Sequence, residues 1–301
     1  MTGARFQRLG EKRSSRFLGF WLAFPAILCM AVVIAYPVIK GVAMSFTNMN
    51  LLRGGDGSFC GLANYRAMFK DPYFLLACRN TAIWTIANVA IQMALGIIAA
   101  VSLNGNAKGQ GVYRTLIMIP WIVPSVVSAL TWRWMFDWSN GIVNAALLKL
   151  GLIAAPVAWL GNTKTAMPAV VLASVWKGLP FVTMMLLAAL QPIPKELYEA
   201  ASIDGAGFWQ TLTRITIPVI KRTIAVATVL TTIFTVNNFN AIWLMTQGGP
   251  LYRTEILFTY AYKIAFQKFN FGLAASISTV LFLLLSVFGV VYLYLMDKEE
   301  A

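Results

Sequence analysis

The sequence predicts an all-α integral membrane protein with six transmembrane helices. Of its 301 residues, 59% are hydrophobic and only 12% are charged, a balance that suits lipid better than water. A bilayer core about 30 Å thick needs roughly 20 apolar residues per helix. Six runs have that length, at about 17–39, 80–103, 114–136, 167–190, 223–245 and 271–296. We therefore expect one membrane domain, 17–296, between a short N-terminal segment, 1–16, and a C-terminal tail, 297–301.

The formal net charge of +13 could indicate either nucleic acid binding or membrane orientation. The basic residues are scattered through short loops and do not form a stripe with interleaved aromatics, so no nucleic acid partner is expected. Basic residues before the first run favour a cytoplasmic N-terminus, and six spans return the C-terminus to the same side. Lys and Arg are about twice as dense on the predicted cytoplasmic side. The five basic residues before the first run are Arg5, Arg8, Lys12, Arg13 and Arg16.

The N-terminal region has a competing interpretation as a cleaved signal peptide. The apolar run that follows the basic residues is too long for one, and no small-x-small cleavage pattern follows it, so we predict a retained first span. Further along, Cys60 and Cys78 share the first outer section, 40–79. Two cysteines in one loop permit a disulfide but do not establish one.

The loop between the third and fourth runs is expected to lie at the membrane surface. Its apolar stretch, 142–153, is too short to span and is long enough for an interfacial helix. Tryptophans near its ends suit the headgroup zone as anchors, and we prefer that role to ligand stacking. They are Trp132, Trp134, Trp138 and Trp159.

Prolines and two cations interrupt the predicted spans. Breaks in helical hydrogen bonding persist in a membrane only where neighbouring helices or a wet cavity satisfy the freed groups. Arg133 is close enough to the outer surface to extend towards water, so we assign it no function. Lys177 is expected to face a protein interior or an aqueous cavity, where solute contact and structural pairing remain equally open. The prolines are Pro25, Pro37, Pro120, Pro124 and Pro180.

Several kinds of chemistry are missing from the sequence. There is no histidine, which removes His-dependent triads, HExxH zinc sites and His proton relays. There is also no GxxxxGK[ST] motif, so ATP would have to bind to another chain. No acidic residue lies in a predicted membrane core, which disfavours a proton- or sodium-driven carrier. We expect no catalytic residue, no metal site and no cofactor in this chain.

A polar segment with the sequence EAASIDGAGFWQTLTRITIP, 199–218, lies between the fourth and fifth runs. Prolines end the preceding helix, and 195–203 and 208–215 can each form a short helix. Gly205 and Gly207 permit a tight turn between them. The pattern predicts a helix-turn-helix on the membrane surface, within a polar connection at 191–222.

This segment resembles the cytoplasmic signature of the permease subunits of ABC importers, specifically the carbohydrate-uptake group related to maltose and glycerol-3-phosphate systems. That signature is EAA, three residues, Gly, nine residues and then Ile-x-Leu-Pro. This chain has Glu199-Ala200-Ala201, Gly205 and Ile215-Thr216-Ile217-Pro218, where only Ile217 departs. Gly61-Leu62-Ala63-Asn64-Tyr65, Trp159-Leu160-Gly161 and Gly248-Gly249-Pro250 are also similar to recurrent family features, and they resemble the maltose-F-type half of the heterodimer.

The resemblance implies a type I importer permease fold and a coupling helix that fits a groove of an ATPase subunit. Glu199 would supply a polar contact and Gly205 the turn, with Ala200, Ala201 and Ile203 packing into the groove and Asp204 beside them. The implied partners are a homologous second permease, two ATPase subunits that hold ATP and Mg, an extracytoplasmic solute-binding protein and the lipid of a bacterial or archaeal cytoplasmic membrane. Solute would move by alternating access.

The resemblance also implies a solute site on the two spans that flank the coupling segment. Its positions fall on Ser174, Trp176, Gly178, Phe181, Thr231, Phe234, Thr235 and Asn238. Aromatic faces and polar side chains suit a sugar, although Ser174, Thr235 and Phe181 replace residues usual for maltose. Simple helix packing is the competing interpretation. Trp176 is far from its neighbours on an ideal helix and belongs to the set only if Pro180 unwinds the helix.

We therefore predict a permease subunit of an ATP-driven importer for a sugar or related carbohydrate. The alternatives are a permease of the same superfamily for another solute and, more remotely, a secondary carrier.

Overall fold

The computed structural model of the chain describes residues 21–52, 54–105 and 109–298. The N-terminal segment 1–16 with its five basic residues lies outside the described residues, as does most of the tail. Thirteen helical segments follow one another: α1 Trp21–Met44, α2 Ala63–Lys70, α3 Pro72–Leu103, α4 Gln110–Ile122, α5 Ser125–Met135, α6 Ile142–Lys149, α7 Ala166–Leu190, α8 Lys195–Ile203, α9 from Phe208 to Val219, α10 Lys221–Val236, α11 Phe239–Met245, α12 Leu257–Phe266 and α13 Phe271–Lys298. The described residues contain no β-strand beyond two isolated bridges.

Five stretches are long and apolar enough to cross a membrane, namely α1, α3, α7, the run Lys221–Met245 and the first part of α13. The bent pair α4 and α5 provides a sixth crossing if it is counted as one span. The described residues thus agree with the expected six spans.

The predicted span at 114–136 is interrupted, as its prolines predicted, and consists of two helices that meet near Pro124. Helix α4 ends at Ile122 and α5 begins at Ser125, with an angle of 91° between them. Pro124 stands at the break, where its ring and missing N–H prevent the helix from continuing. Pro120, Pro180 and Pro37 in contrast lie inside helical segments.

Several boundaries differ from the prediction for local reasons. Helix α3 begins eight residues earlier than expected, since Asp71 accepts a hydrogen bond from the Tyr73 N–H at 2.9 Å and Pro72 occupies the first turn. The surface helix α6 is shorter than 142–153. The predicted helix 208–215 is α-helical only to Thr211, continues as a π-helical turn and ends at Val219.

Helix α3 is the centre of the bundle and packs on α7, α10 and α12. Gly96 allows α3 and α7 to approach closely, because a Cβ there would lie 2.6 Å from Val182 Cγ1. Trp84 of α3 is fully buried and donates its indole N–H to the Thr235 carbonyl at 2.9 Å. These contacts fix α10 against α3 at the point where α10 ends.

The two ends of the bundle differ in construction. One end, which we call the coupling end, carries 191–220 and the connection from α3 to α4. The opposite end carries the connections 45–71, 136–165 and 246–270, and it is fastened by buried polar contacts. Asn80 donates to the carbonyls of Tyr252 and Glu255 at 2.7 and 3.0 Å. Glu255 is fully buried and pairs with Lys263.

Helix α12 is tied to the start of α3 at the same end. The Tyr260 hydroxyl donates to Asp71, and burial together with that carboxylate raises the pKa of Tyr260. Cys60 and Cys78 are both free thiols, so the disulfide left open by the sequence is absent from the structure.

Candidate solute cavity and coupling segment

A cavity of 420 Å³ lies between α5, α7, α10 and α11, with one residue each from α3 and α4. Seven of the eight residues that the sequence assigned to solute contact line it. They are Ser174, Gly178, Phe181, Thr231, Phe234, Thr235 and Asn238. The structure therefore brings together residues from two spans that are separated by the coupling segment.

The cavity is located where the fifth crossing breaks. Helix α10 ends at Val236 and α11 begins at Phe239, leaving Asn237 and Asn238 between them. The Asn238 carboxamide accepts the Ala241 N–H at 3.3 Å and so caps α11. Its amide also reaches the Ser174 hydroxyl at 3.5 Å. One asparagine thus caps the start of α11 and links both walls.

The walls of the cavity combine aromatic and polar groups. The rings of Phe181 and Phe234 meet edge to face with centroids 5.5 Å apart, and Phe234 is 58% exposed. The Thr231 hydroxyl is buried and has no hydrogen-bond partner within the described part of the chain. An unpaired buried hydroxyl costs free energy until something bonds to it. The cavity therefore offers a solute both an apolar face and an unused polar group.

Trp176 does not belong to the cavity, which corrects the predicted set. Helix α7 runs without interruption from Ala166 to Leu190 despite Pro180, so the unwinding that would turn the indole inward is absent. The Trp176 ring instead packs edge to face on Trp132 of α5, with centroids 5.8 Å apart. We leave it out of the proposed solute contacts.

Lys177 lines the cavity and also pairs with the broken span. Its ammonium donates to the carbonyls of Pro120, at 3.3 Å, Trp121 and Val123. These are carbonyls at the end of α4, which have no partner within that helix and carry its negative dipole end. Lys177 is thus paired with the protein backbone, and it also lies where a solute in the cavity can contact it.

Sequence reasoning missed several cavity residues. Gln92 of α3 is buried and lies so close to Gly178 that a Cβ there would be 2.2 Å from Gln92 Oε1. At the cavity wall, the Asn240 amide donates a hydrogen bond to the Ser125 hydroxyl at 3.0 Å. A glutamine in the middle of an apolar run was a usable signal, whereas the break that presents Ser125 was not visible from periodicity.

The coupling segment, 195–219, forms two short helices, α8 and α9, joined by a glycine turn. Gly205 has a φ of +74°, which favours glycine, and the Ala206 N–H returns to the Ala201 carbonyl at 2.9 Å. Gly207 is extended, with φ of −75°, and its N–H donates to Gln210 at 2.9 Å. The predicted turn is therefore carried by Gly205.

The exposed surface of the coupling segment carries large apolar side chains among charged ones. Ile203 is 87% exposed and Trp209 72% exposed, while Glu199, Ala200 and Asp204 are also exposed. Ala201 is only 7% exposed and packs inward, so it is not available to a groove on another protein. An exposed apolar patch of this kind is typical of a docking surface.

The described residues form no group of three or more His, Cys, Asp or Glu that could hold a metal ion. The bundle has instead a cavity lined by aromatic and polar side chains and an exposed helical pair at one end. This is the construction of a membrane permease.

Comparison with known proteins identifies the kind of permease. Residues 92–298 match the model of the binding-protein-dependent transport system inner membrane component. The chain is 38% identical to a probable ABC transporter permease protein of Brucella suis biovar 1, over 95% of this chain and 99% of the relative. It is 37% identical to the trehalose/maltose transport system permease protein MalF of Thermococcus litoralis, over 92% of each. The chain therefore belongs to the ABC transporter permeases of binding-protein-dependent systems.

A solved structure shares the fold. The crystal structure of a bacterial ABC transporter involved in the import of the acidic polysaccharide alginate matches with a TM-score of 0.83 and 23% identity, over 97% of this chain and 99% of that chain. The family and the type I importer fold inferred from the EAA signature are confirmed. The chain is a transport subunit, and ATP hydrolysis belongs to a separate subunit of such systems.

Proposed function

We propose that this chain is a permease subunit that imports a sugar or related carbohydrate through the 420 Å³ cavity. The observation that carries the proposal is the convergence of seven separately predicted residues on that one cavity. Relatives add support, since named ones include permeases of trehalose/maltose and sulfoquinovosyl glycerol transport systems.

The chemistry of the cavity suits a carbohydrate. The exposed ring of Phe234 offers an apolar face to a pyranose, and Phe181 lies against it. Ser174, Thr231 and Asn238 provide hydroxyl and amide groups that exchange hydrogen bonds with sugar alcohols. Among the described residues that line the cavity there is no carboxylate, and the charged group that faces a solute is the Lys177 ammonium.

Energy reaches the cavity through the coupling segment. Helix α8 presents Glu199, Ala200, Ile203 and Asp204 to a groove on an ATPase subunit, and the Gly205 turn sets the angle of the pair. ATP and Mg are held by two ATPase subunits, which close and move α8. The motion tilts α7 and α10, which flank the segment, and so switches the cavity between inward-facing and outward-facing states.

The remaining partners and the orientation follow from this arrangement. A homologous permease completes the pathway, and a solute-binding protein delivers the sugar to the opposite end of the bundle. The coupling end and both termini are cytoplasmic, in the inner membrane of a bacterium or archaeon.

The test is uptake by the complex in proteoliposomes, with the ligand of the accompanying binding protein identified first. Phe234→Ala and Asn238→Ala should raise the solute concentration for half-maximal uptake, whereas Trp176→Phe should leave it near the wild-type value. A non-carbohydrate ligand, or uptake unaffected by both cavity variants, would overturn the sugar assignment. Uptake that persists without ATP under an imposed ion gradient would overturn the energy source.

Coupling is tested separately by Glu199→Lys combined with Gly205→Asp. The complex should still assemble but should lose ATP-driven uptake. Normal assembly together with normal uptake would contradict the assigned role of the segment.

A further inference from the structure

A second cavity lies at the coupling end and takes no part in the solute pathway described above. It has a volume of 560 Å³ and is enclosed by the end of α3, the start of α4, the end of α7 and the helices α8 and α9. Its walls include Asn104, Gln110, Arg114, Lys195, Tyr198 and Phe208. We call it the Arg114 pocket.

The Arg114 pocket is positively charged without compensation. Among the described residues that line it, Arg114 and Lys195 are the charged ones, and none is Asp or Glu. One terminal nitrogen of Arg114 donates to the Leu103 carbonyl at 3.2 Å, which holds the guanidinium in place. In the part of the chain that the structure describes, neither cation is in an ion pair. Two cations that line the same pocket repel each other, and an anion bound between them would remove that repulsion.

Several hydrogen-bond donors in this pocket are also unused. The Arg114 Nε and the Gln110 Nε2 are buried and have no partner among the described residues. Each such group costs free energy as long as it is left unpaired. Two helices also begin at the pocket, α4 with Gln110 and α8 with Lys195, and helix N-termini favour negative charge. The positive charge, the unpaired donors and the helix N-termini thus all favour a negatively charged ligand.

We propose that the Arg114 pocket binds a phosphate-bearing anion. A guanidinium is suited to two parallel hydrogen bonds with phosphate oxygens, and an ammonium completes the charge. The hydroxyls of Tyr198 and Thr211 and the amide of Asn104 offer further contacts to the body of the ligand, and the exposed Phe208 ring offers an apolar one. The bound phosphate group has two candidate sources, a small phosphate ester in solution and a phospholipid headgroup.

A bound phosphate bridges α4, through Arg114, to the first residue of α8, through Lys195. It therefore links the connection between the second and third crossings to the coupling segment. The pocket itself is argued from geometry and does not depend on which solute the permease carries.

The test uses the complete transporter complex in nanodiscs of phosphatidylcholine. In one arm, glucose 6-phosphate and inorganic phosphate are titrated calorimetrically. In the other arm, phosphatidylglycerol is added to the nanodiscs and its retention is followed by native mass spectrometry. We expect saturable binding in one arm, weakened about tenfold or more by Arg114→Gln with Lys195→Gln, because each charge-assisted hydrogen bond is lost.

The matched control is Arg222→Gln, which removes an exposed cation at the same end of the bundle but outside the pocket. It should bind within about twofold of wild type, since a surface charge at a distance is largely screened. If the double variant does not assemble, Lys195→Gln alone carries the test, because Lys195 is exposed and its replacement leaves the Arg114 contact intact. Binding in the first arm identifies a soluble ester, and retention in the second identifies a lipid headgroup.

The proposal is overturned if neither arm shows binding, or if the pocket variants bind as well as the wild type. It is also overturned if Arg222→Gln weakens binding to the same extent, because attraction would then be a general property of the surface. All measurements are made without solute or transport, so failure here is distinguishable from failure of the proposed sugar import.

Discussion

The described walls of the solute cavity come from six helices spread between Gln92 and Met245, whereas the coupling segment is one continuous run, 195–219. The cavity holds buried polar groups around an open space, and its residues depend on one another through contacts such as Asn238 with Ser174. The coupling segment is held by short-range hydrogen bonds and leaves Ile203 and Trp209 exposed. Solute selection therefore requires the whole bundle, whereas coupling to an ATPase requires only a rigid local element.

Changes in the two regions should therefore alter different parameters of uptake. Substitutions in the coupling segment should lower the maximal rate with little effect on the solute concentration for half-maximal uptake. Substitutions in the cavity should raise that concentration.

Replacing Gly205 by valine should reduce the maximal uptake rate about tenfold, because a left-handed φ costs a side-chain-bearing residue roughly 1–2 kcal/mol and more if it is β-branched. Gly207→Ala is the matched control, since it changes a glycine of the same turn at a negative φ with open space around it. Uptake kinetics in proteoliposomes provide the measurement. Equal losses in both variants would remove the special role of Gly205.

Gly178→Ala should destabilise the complex by about 1–3 kcal/mol and distort the cavity, because the new methyl group would overlap the buried Gln92. Thermal unfolding and the half-maximal solute concentration are the readouts. Gly41→Ala, in a helix with nothing within 4 Å of the added Cβ, should leave both unchanged or slightly raise stability. A tolerated Gly178 variant would show that the cavity wall yields easily.

Phe181→Leu should weaken solute affinity about fivefold, since it keeps an apolar side chain but removes an aromatic face worth roughly 1 kcal/mol. Trp176→Phe, on the same helix, should change affinity less than twofold, because Trp176 does not line the cavity. Half-maximal uptake concentrations compare the two. A larger effect at Trp176 would return that residue to the solute site.

Thr231→Val should have the smallest effect, a loss of affinity of about threefold, because the hydroxyl contributes one hydrogen bond to the solute. The thermal stability of the solute-free complex should remain unchanged or increase, since the hydroxyl is buried and unpaired in the described structure. Scanning calorimetry with and without solute separates the two. Lower stability without any change in affinity would make Thr231 a packing residue.

The sequence predicted the coupling segment well because its structure is local. Helix α8 covers 195–203 as expected, and the turn falls at Gly205, since proline, alanine and glycine act within a few residues of themselves. The π-helical turn after Thr211 was not predicted, and Ala201 faces inward because α8 packs on the bundle.

The cavity was only partly predictable because its geometry is tertiary. Spacing placed Thr231, Phe234, Thr235 and Asn238 on one face, and they do line one cavity. Spacing also showed that Trp176 did not fit that pattern, and the continuous helix α7 agrees with the spacing and not with the resemblance. The contributions of Gln92 and Ser125 depend on which helices meet, which no local pattern contains.

The break between α4 and α5 makes two unfavourable features of the chain depend on each other. A lysine within a membrane helix costs about 2.5–3.5 kcal/mol, and each carbonyl left unpaired at a broken helix end costs about 1–3 kcal/mol. Lys177 and the carbonyls that precede Pro124 remove both costs by meeting. Their effects should consequently be non-additive, so that losing the lysine and the break together does less harm than the two separate losses predict.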